Sequence, residues 1–276
     1  MKINEALKNA LPYLNSRKYT NPLYESRLIL SYILDKDVSF LYAYGDLDLK
    51  KDQEKDFFKI LERRKNGEPL QYIFGYTYFM TEKFLIYRGV LIPRSDTENS
   101  VETIVNKIKK NRLKSFLEIG CGSGAVSIMV NLLTNIKTCA VDISELAIKN
   151  TLINAKQLNA EIEVFKSNLF ENVKGKYDII YSNPPYIPTC EIKNLQEEVK
   201  NFEPLEALDG GNDGLKFYRS IVNEVSNFLT DKGYLIFEIG FDQKEKIKEL
   251  MQDNFDVSFK KDLHGFYRVA IGKRRC

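Results

Sequence analysis

Three glycines, Gly120, Gly122 and Gly124, lie within the five residues that directly follow the apolar run Phe116-Leu117-Glu118-Ile119. Glycine lacks a β-carbon, so such a loop turns sharply, enters left-handed backbone without strain and lets another molecule approach the main chain. A helical stretch, about 125–133, follows at once. The pattern predicts a strand that ends in a tight loop and opens a helix, whose N-terminus gathers unpaired N–H groups suited to a nucleotide-like ligand. A chain built around this unit is committed to an α/β arrangement.

The alternation continues downstream. Strands are expected at 115–119, 137–141, 161–165, 177–181, 234–239, 257–260 and 267–271, with helices at about 125–133, 145–158, 215–229 and 243–253. Parallel neighbours need crossover helices, so the alternation implies a seven-stranded, mostly parallel, doubly wound sheet. The last two strands share a short connection containing Gly265 and no helix. They are expected to form a hairpin, which makes the last strand antiparallel.

Upstream the texture differs. Ala6, Leu7, Ala10, Leu11 and Leu14, then Leu23, Leu28, Ile29, Tyr32 and Ile33, then Phe57, Phe58 and Leu61 recur at three- and four-residue spacing, which predicts four or five short helices over residues 1–73. Asn21-Pro22 offers a cap with proline at the first helical position, and Gly45-Asp46 marks a break. From Gly67 to Pro93 the chain becomes rich in Tyr, Phe, Ile and Thr, as extended segments or a hairpin would be, and 74–92 is expected to link two domains. Ser95-Asp96-Thr97-Glu98 then starts a helix with acid in its first turn and Val101, Ile104, Val105 and Ile108 on its apolar face. A chain of 276 residues suffices for two domains of roughly 150 residues or fewer, and the second is expected to span 93–276.

Composition removes several function classes. Four scattered cysteines without a Cys-x-x-Cys pair, and a single histidine, His264, argue against a metal site, a disulfide framework or a histidine-based triad. A net charge of +3 is no nucleic-acid footprint. The apolar stretch around Leu28–Leu34 is far too short to span a membrane, and the first ten residues read as an amphipathic helix, so the chain is expected in the cytoplasm.

On its own the loop leaves the chemistry open, because Gly120-x-Gly122-x-x-Ala125 also satisfies the dinucleotide fingerprint of nicotinamide and flavin enzymes. Asp142, at the end of the next strand, suits ribose hydroxyls under either reading. Asn183-Pro184-Pro185-Tyr186 separates them, since it ends a strand expected beside the first one, at the sheet edge where ligands bind. Two prolines stiffen the backbone so that the Asn183 side-chain carbonyl and the Pro184 main-chain carbonyl point the same way. Those acceptors suit an NH2 group whose lone pair is delocalised, and Tyr186 offers a flat face for a planar amide or base.

The glycine loop, Asp142 and Asn183-Pro184-Pro185-Tyr186 together resemble class I S-adenosylmethionine-dependent methyltransferases that act on amide or exocyclic nitrogens. Gly67-Glu68-Pro69-Leu70-Gln71-Tyr72-Ile73, Leu91-Ile92-Pro93-Arg94-Ser95-Asp96-Thr97-Glu98, Phe202-Glu203-Pro204-Leu205-Glu206-Ala207-Leu208 and Asp262-Leu263-His264-Gly265-Phe266-Tyr267-Arg268 extend the likeness over nearly the whole chain. It resembles the peptide chain release factor glutamine methyltransferases, the HemK/PrmC family. The resemblance implies a Rossmann-like methyltransferase domain, a helical N-terminal domain that recognises substrate, and methyl transfer from S-adenosylmethionine to the Gly-Gly-Gln glutamine of class I release factors. S-adenosylhomocysteine is the implied product.

By the same resemblance, Gly120, Cys121, Gly122, Ser123 and Gly124 line the methionine and ribose part of the cofactor, and Glu118 faces its amino group. Asp142 takes the ribose hydroxyls, while Asn168 and Leu169 flank the adenine. Asn183, Pro184, Pro185 and Tyr186 hold the glutamine amide, with Asn183 also beside the cofactor. Arg94, Thr97 and Glu98 help close the site. The sequence departs from the family pattern at Ser95, where proline is common, and at Glu118 and Asn168, where aspartate is frequent. No metal, nucleic acid or membrane is implied. A base-amine methyltransferase such as an adenine-N6 enzyme, a nicotinamide-dependent oxidoreductase and a non-catalytic adaptor are the competing readings.

Overall fold

A computed structural model describes residues 1–15 and 21–275. The described residues fall into two compact units, Met1–Gly75 with Glu197–Phe202, and Tyr76–Gln196 with Glu203–Cys276.

The first unit is helical. Its elements are α1 (Ile3–Leu14), α2 (Pro22–Leu34), α3 (Val38–Ala43), α4 (Lys51–Lys65) and α5 (Leu70–Phe74). Ile3, Ala6, Leu7, Ala10 and Leu14 are the buried face of α1, as their spacing requires, and they meet Ile29, Leu30, Phe57 and Leu61 in one core. The Asn21 side chain accepts from the Tyr24 N–H and so caps α2, with Pro22 at its first turn. The expected extended stretch after Gly67 begins instead with α5, because Leu70, Tyr72 and Ile73 bury together after Pro69. Gly75, at φ 78°, closes that helix in left-handed backbone.

A later segment completes this unit. The buried Arg64 guanidinium is held by Glu25 at 2.6 Å and by Glu198 at 2.7 Å. Two carboxylates around one buried arginine satisfy a charge that would otherwise be strongly disfavoured away from water.

The second unit opens with the hairpin of β1 (Tyr76–Phe79) and β2 (Glu82–Leu85). A short 3-10 turn, Ser95–Thr97, leads into α6 (Glu98–Asn111), whose buried Val101, Ile104, Val105 and Ile108 are the residues the pattern selects. There follow β3 (Ser115–Ile119), α7 (Ala125–Thr134), β4 (Lys137–Asp142), α8 (Glu145–Leu158), β5 (Ile162–Lys166) and β6 (Tyr177–Ser182). After α9 (Glu197–Phe202), which belongs to the first unit, come α10 (Lys216–Glu224), β7 (Leu229–Glu238), α11 (Lys244–Met251), β8 (Phe255–Lys261) and β9 (Tyr267–Arg274).

The sheet has seven strands in the order β5-β4-β3-β6-β7-β9-β8, with β3 through β7 parallel and β9 antiparallel to both of its neighbours. The expected α/β class, the parallel sheet and the antiparallel last strand are all present. The expected helix 215–229 is shorter: α10 stops at Glu224, a 3-10 turn covers Val225–Asn227, and Leu229 already pairs with Tyr177. Hydrogen bonding to β6 outcompetes further helix there.

Candidate active site

The glycine loop leaves β3 at the carboxyl edge of the sheet, between β4 on one side and β6 on the other. Consecutive strands depart to opposite sides of β3 here, which opens the crevice where α/β sheets bind ligands. Gly120, Gly122 and Gly124 have φ of 76°, 56° and 80°, so all three use left-handed backbone. They differ in what surrounds them. A β-carbon on Gly120 or Gly122 would meet no heavy atom within 4 Å, whereas one on Gly124 would stand 2.7 Å from Thr151 Cγ2. The first two glycines therefore leave open space for a ligand, and the third permits close packing of α7 against α8.

Polar residues of α8 brace the loop. Thr151 Oγ1 donates to the Gly122 carbonyl at 3.1 Å, and Asn154 Nδ2 donates to the Ser123 carbonyl at 2.9 Å. The N–H groups of Gly120 and Cys121 both donate to the Val141 carbonyl, at 2.8 and 3.0 Å. Sequence reasoning did not single out Thr151 or Asn154. Their signal was there, because Asn150, Thr151 and Asn154 place polar groups on the buried face of an otherwise apolar-faced helix.

Two carboxylates flank the loop. Glu118 is buried, and its Oε2 accepts from the Ser127 N–H at 2.9 Å and from the Ser127 hydroxyl. Burial pushes its carboxyl up to about 8, against the opposing pull of those Ser127 hydrogen bonds, and the nearby Asp142 adds to the rise. Asp142, at the end of β4, accepts from the Gly122 N–H at 2.9 Å through Oδ2 and from the Ser144 N–H at 2.8 Å through Oδ1. Burial raises its carboxyl as well, partly offset by those backbone donors. Each oxygen keeps lone-pair capacity for a further donor.

Asn183 follows β6 directly, and Pro184 is buried behind it. The strand end is anchored where the Ser182 hydroxyl donates to the Ile119 carbonyl at 2.8 Å. A second glycine-rich segment, absent from the sequence-based site, cradles the proline turn. Ile187 N–H donates to the Leu208 carbonyl at 3.1 Å, and Gly210 N–H returns a bond to the Ile187 carbonyl at 2.8 Å. A β-carbon on Gly210 would stand 2.7 Å from the Pro185 carbonyl oxygen, and one on Gly214 would collide with the Tyr186 carbonyl. Buried Gln243 completes the support, donating through Nε2 to the carbonyls of Tyr186 and Gly214 at 3.1 and 3.2 Å while accepting from the Gly240 N–H. Three glycines within 210–214 were the visible sign of this cradle.

One cavity collects several of these pieces. Glu118, Gly120, Cys121, Gly122, Ser123 and Asn183 line it, together with Arg94 and Thr97 from the turn before α6. Arg94 is oriented by the buried Glu203, 2.5 Å away. Gly124, Asp142, Asn168, Leu169, Pro184, Pro185 and Tyr186 are not among its lining residues. Asp142 stands behind Gly122, and the exposed Asn168 donates its amide to Glu171 at 2.8 Å. Leu169, at φ 50°, packs on the sheet core. Glu98 turns away to accept from the Met80 N–H at 2.7 Å and so ties the β1–β2 hairpin to α6.

A family model described as the PrmC N-terminal domain matches residues 5–75, and one described as the methyltransferase small domain matches residues 94–199. The release factor glutamine methyltransferase of Clostridium botulinum is 38% identical over 258 residues, covering 91% of this chain and 91% of that protein. The protein of the same name from Buchnera aphidicola subsp. Schizaphis graminum is 35% identical over 279 residues, covering 100% of each. Among solved structures, the catalytic domain of hMettl16, in complex with an RNA hairpin, aligns with a TM-score of 0.58 at 16% identity over 89% of this chain and 92% of that one, which establishes a shared fold. The nicotinamide reading of the glycine loop gives way to methyl transfer. The chain belongs to the release factor glutamine methyltransferase family.

Proposed function

We propose that this protein transfers a methyl group from S-adenosylmethionine to the side-chain nitrogen of the glutamine in the Gly-Gly-Gln motif of class I peptide chain release factors. The observation that carries this reading is the single cavity where the glycine loop and Asn183 meet at the carboxyl ends of β3 and β6. The residues present fit such a cofactor. Open space at Gly120 and Gly122 leaves room for it against the backbone, and Glu118 on the cavity wall and Asp142 behind Gly122 keep carboxyl oxygens that could accept from a cationic amino group and a ribose diol. Glu118, Gly120, Cys121, Gly122, Ser123 and Gly124 would hold its methionine and ribose portion, and Asp142 its hydroxyls. Asn168 and Leu169 remain the adenine flank, which requires Asn168 to exchange its bond to Glu171.

When bound, S-adenosylmethionine would supply the electrophilic methyl group, with S-adenosylhomocysteine as the product. The protein prepares the nucleophile. Asn183 Oδ1 and the Pro184 carbonyl accept the two N–H bonds of the amide, localise electron density on nitrogen and aim its lone pair. Positive charge builds on that nitrogen as the new bond forms, so both acceptors bind the transition state more strongly than the ground state, and the nitrogen then loses one of its two protons to water, which leaves the neutral N-methyl amide. Tyr186 covers the planar face of the amide. Such a substrate places the protein in the cytoplasm, and among the described residues no helix is long and apolar enough to cross a membrane.

The test is incubation with tritiated S-adenosylmethionine and a purified class I release factor, with and without replacement of its motif glutamine. Label is expected on the wild-type factor alone. Label that survives the replacement would move the acceptor elsewhere.

A further inference from the structure

Two turns at the carboxyl edge of the sheet carry apolar side chains that the fold leaves uncovered. Phe241 follows the end of β7 and is 66% exposed, while Phe266, in the turn between β8 and β9, is 52% exposed and Leu263 of the same turn is fully exposed. Because β9 runs antiparallel to β7, its first residues stand where β7 ends. The Phe241 and Phe266 rings meet there edge to face, with centroids 6.0 Å apart. Single exposed apolar residues are ordinary, whereas a cluster of them marks a surface that binds something.

Hydrogen bonds fix both turns. Asp262 Oδ1 accepts from the N–H groups of His264 and Phe266, both at 2.9 Å, and the Asp262 N–H donates to the Phe266 carbonyl at 2.8 Å. The Gly240 N–H donates to Gln243 Oε1 at 2.9 Å, and Gln243 Nε2 donates in turn to the Tyr186 carbonyl at 3.1 Å. The Ile239 N–H donates to the Arg268 carbonyl at 2.9 Å, and the Arg268 guanidinium carbon stands 5.9 Å from the centre of the Tyr186 ring. The exposed cluster is therefore held in register with the residue that follows Asn183-Pro184-Pro185. Side chains presented on a fixed backbone lose less freedom on binding.

Strand order says what approaches this face. The glycine loop and Asp142 set the cofactor over β3 and β4, Asn183 leaves β6, and the next strands outward are β7 and β9. A glutamine held at Asn183, with the methyl donor on its β3 side, has the rest of its protein over β7 and β9. The motif itself offers little to grip, since two of its three residues are glycine. Affinity for a whole protein then needs apolar anchors outside the pocket.

We infer that Phe241, Leu263 and Phe266 form a docking surface for the release factor, on which apolar side chains flanking its Gly-Gly-Gln turn pack. The inference rests on the proposed function above and adds to it the place where the substrate protein is gripped.

The test uses Phe241→Ala, Leu263→Ala and Phe266→Ala in the full-length protein. All three side chains are exposed, so the melting temperature is expected to stay near wild type. Each substitution is expected to raise KM for the release factor about 10-fold, the scale of truncating one interface anchor. The calorimetric Kd for the factor, with S-adenosylhomocysteine present, should rise in step. Turnover at saturating factor and affinity for S-adenosylmethionine should not change. Unchanged KM and Kd in all three variants, or losses confined to kcat, would overturn the inference. So would a wild-type dimer, seen by sedimentation, that the phenylalanine substitutions dissociate, because the face then belongs to a second copy of the chain. Wild-type protein separates this failure from that of the proposed function: label on the factor with unchanged KM in the variants sinks the docking surface alone, whereas no label on the factor sinks both.

Discussion

Asn154 Nδ2 donates to the Ser123 carbonyl at 2.9 Å, across 31 positions of sequence. The same side chain accepts from the Leu85 N–H at 2.8 Å and donates to the Leu85 carbonyl at 3.0 Å, so one buried amide holds both the glycine loop and the end of the β1–β2 hairpin. Asn154→Ala leaves the Ser123 carbonyl and the Leu85 N–H without these partners, at about 1–3 kcal/mol each, while the Leu85 carbonyl keeps the Asn150 amide. The expected outcome is a lower melting temperature with weaker S-adenosylmethionine binding, read by thermal denaturation and calorimetry on the same sample.

Gly120→Ala and Gly124→Ala should fail differently. Both place alanine in left-handed backbone, at about 1–2 kcal/mol, but only position 124 also drives a methyl group into Thr151. Gly124→Ala is therefore expected to lose more stability, while Gly120→Ala keeps most of its stability and loses cofactor affinity because its methyl fills the open space. Equal losses of stability in the two variants would contradict the division of roles.

Asn183→Ala removes one of two oriented acceptors. Turnover is expected to drop on the order of 100-fold, the effect of losing one aligned polar group at a charge that develops during reaction. Cofactor affinity should change little, since the glycine loop and Asp142 remain. Single-turnover kinetics alongside calorimetry separates the two quantities.

The ligand-free protein carries a pH signature at Glu118. Its carboxyl ordinarily titrates near 4.5 and is raised to about 8 by burial in the folded chain. Between those values the folded state holds a proton that the unfolded state has lost, so this residue's contribution to stability is full below pH 4.5 and is lost as pH rises through about 8. Asp142 and Glu238, also raised by burial, slope the same way. Melting temperatures measured across this range should decline more steeply in wild type than in Glu118→Gln. A cationic amino group bound beside Glu118 would favour its charged form, so cofactor binding near pH 7 is expected to release protons, detectable in buffers of different ionisation enthalpy.

By itself the amino-acid sequence determined the order and kind of the elements. The strand at 115–119 and the helix at 145–158 have the bounds that their residue patterns predict, and the absence of a helix before β9 was enough to turn that strand antiparallel. It also marked Gly120–Ser123 and Asn183, which the fold places around one cavity. These are local properties: periodicity, glycine spacing and proline act on the backbone within a few residues. Tertiary structure alone decided that Asn154 and Thr151 brace the loop, that Gly210 and Gly214 cradle the proline turn, and that Arg268 reaches Tyr186. It also ended α10 early, where pairing with Tyr177 claimed Leu229 for the sheet. In each case the partner lies tens of residues away, and a hydrogen bond or a close approach across that distance has no period along the chain; it exists only once the sheet has brought the two segments together.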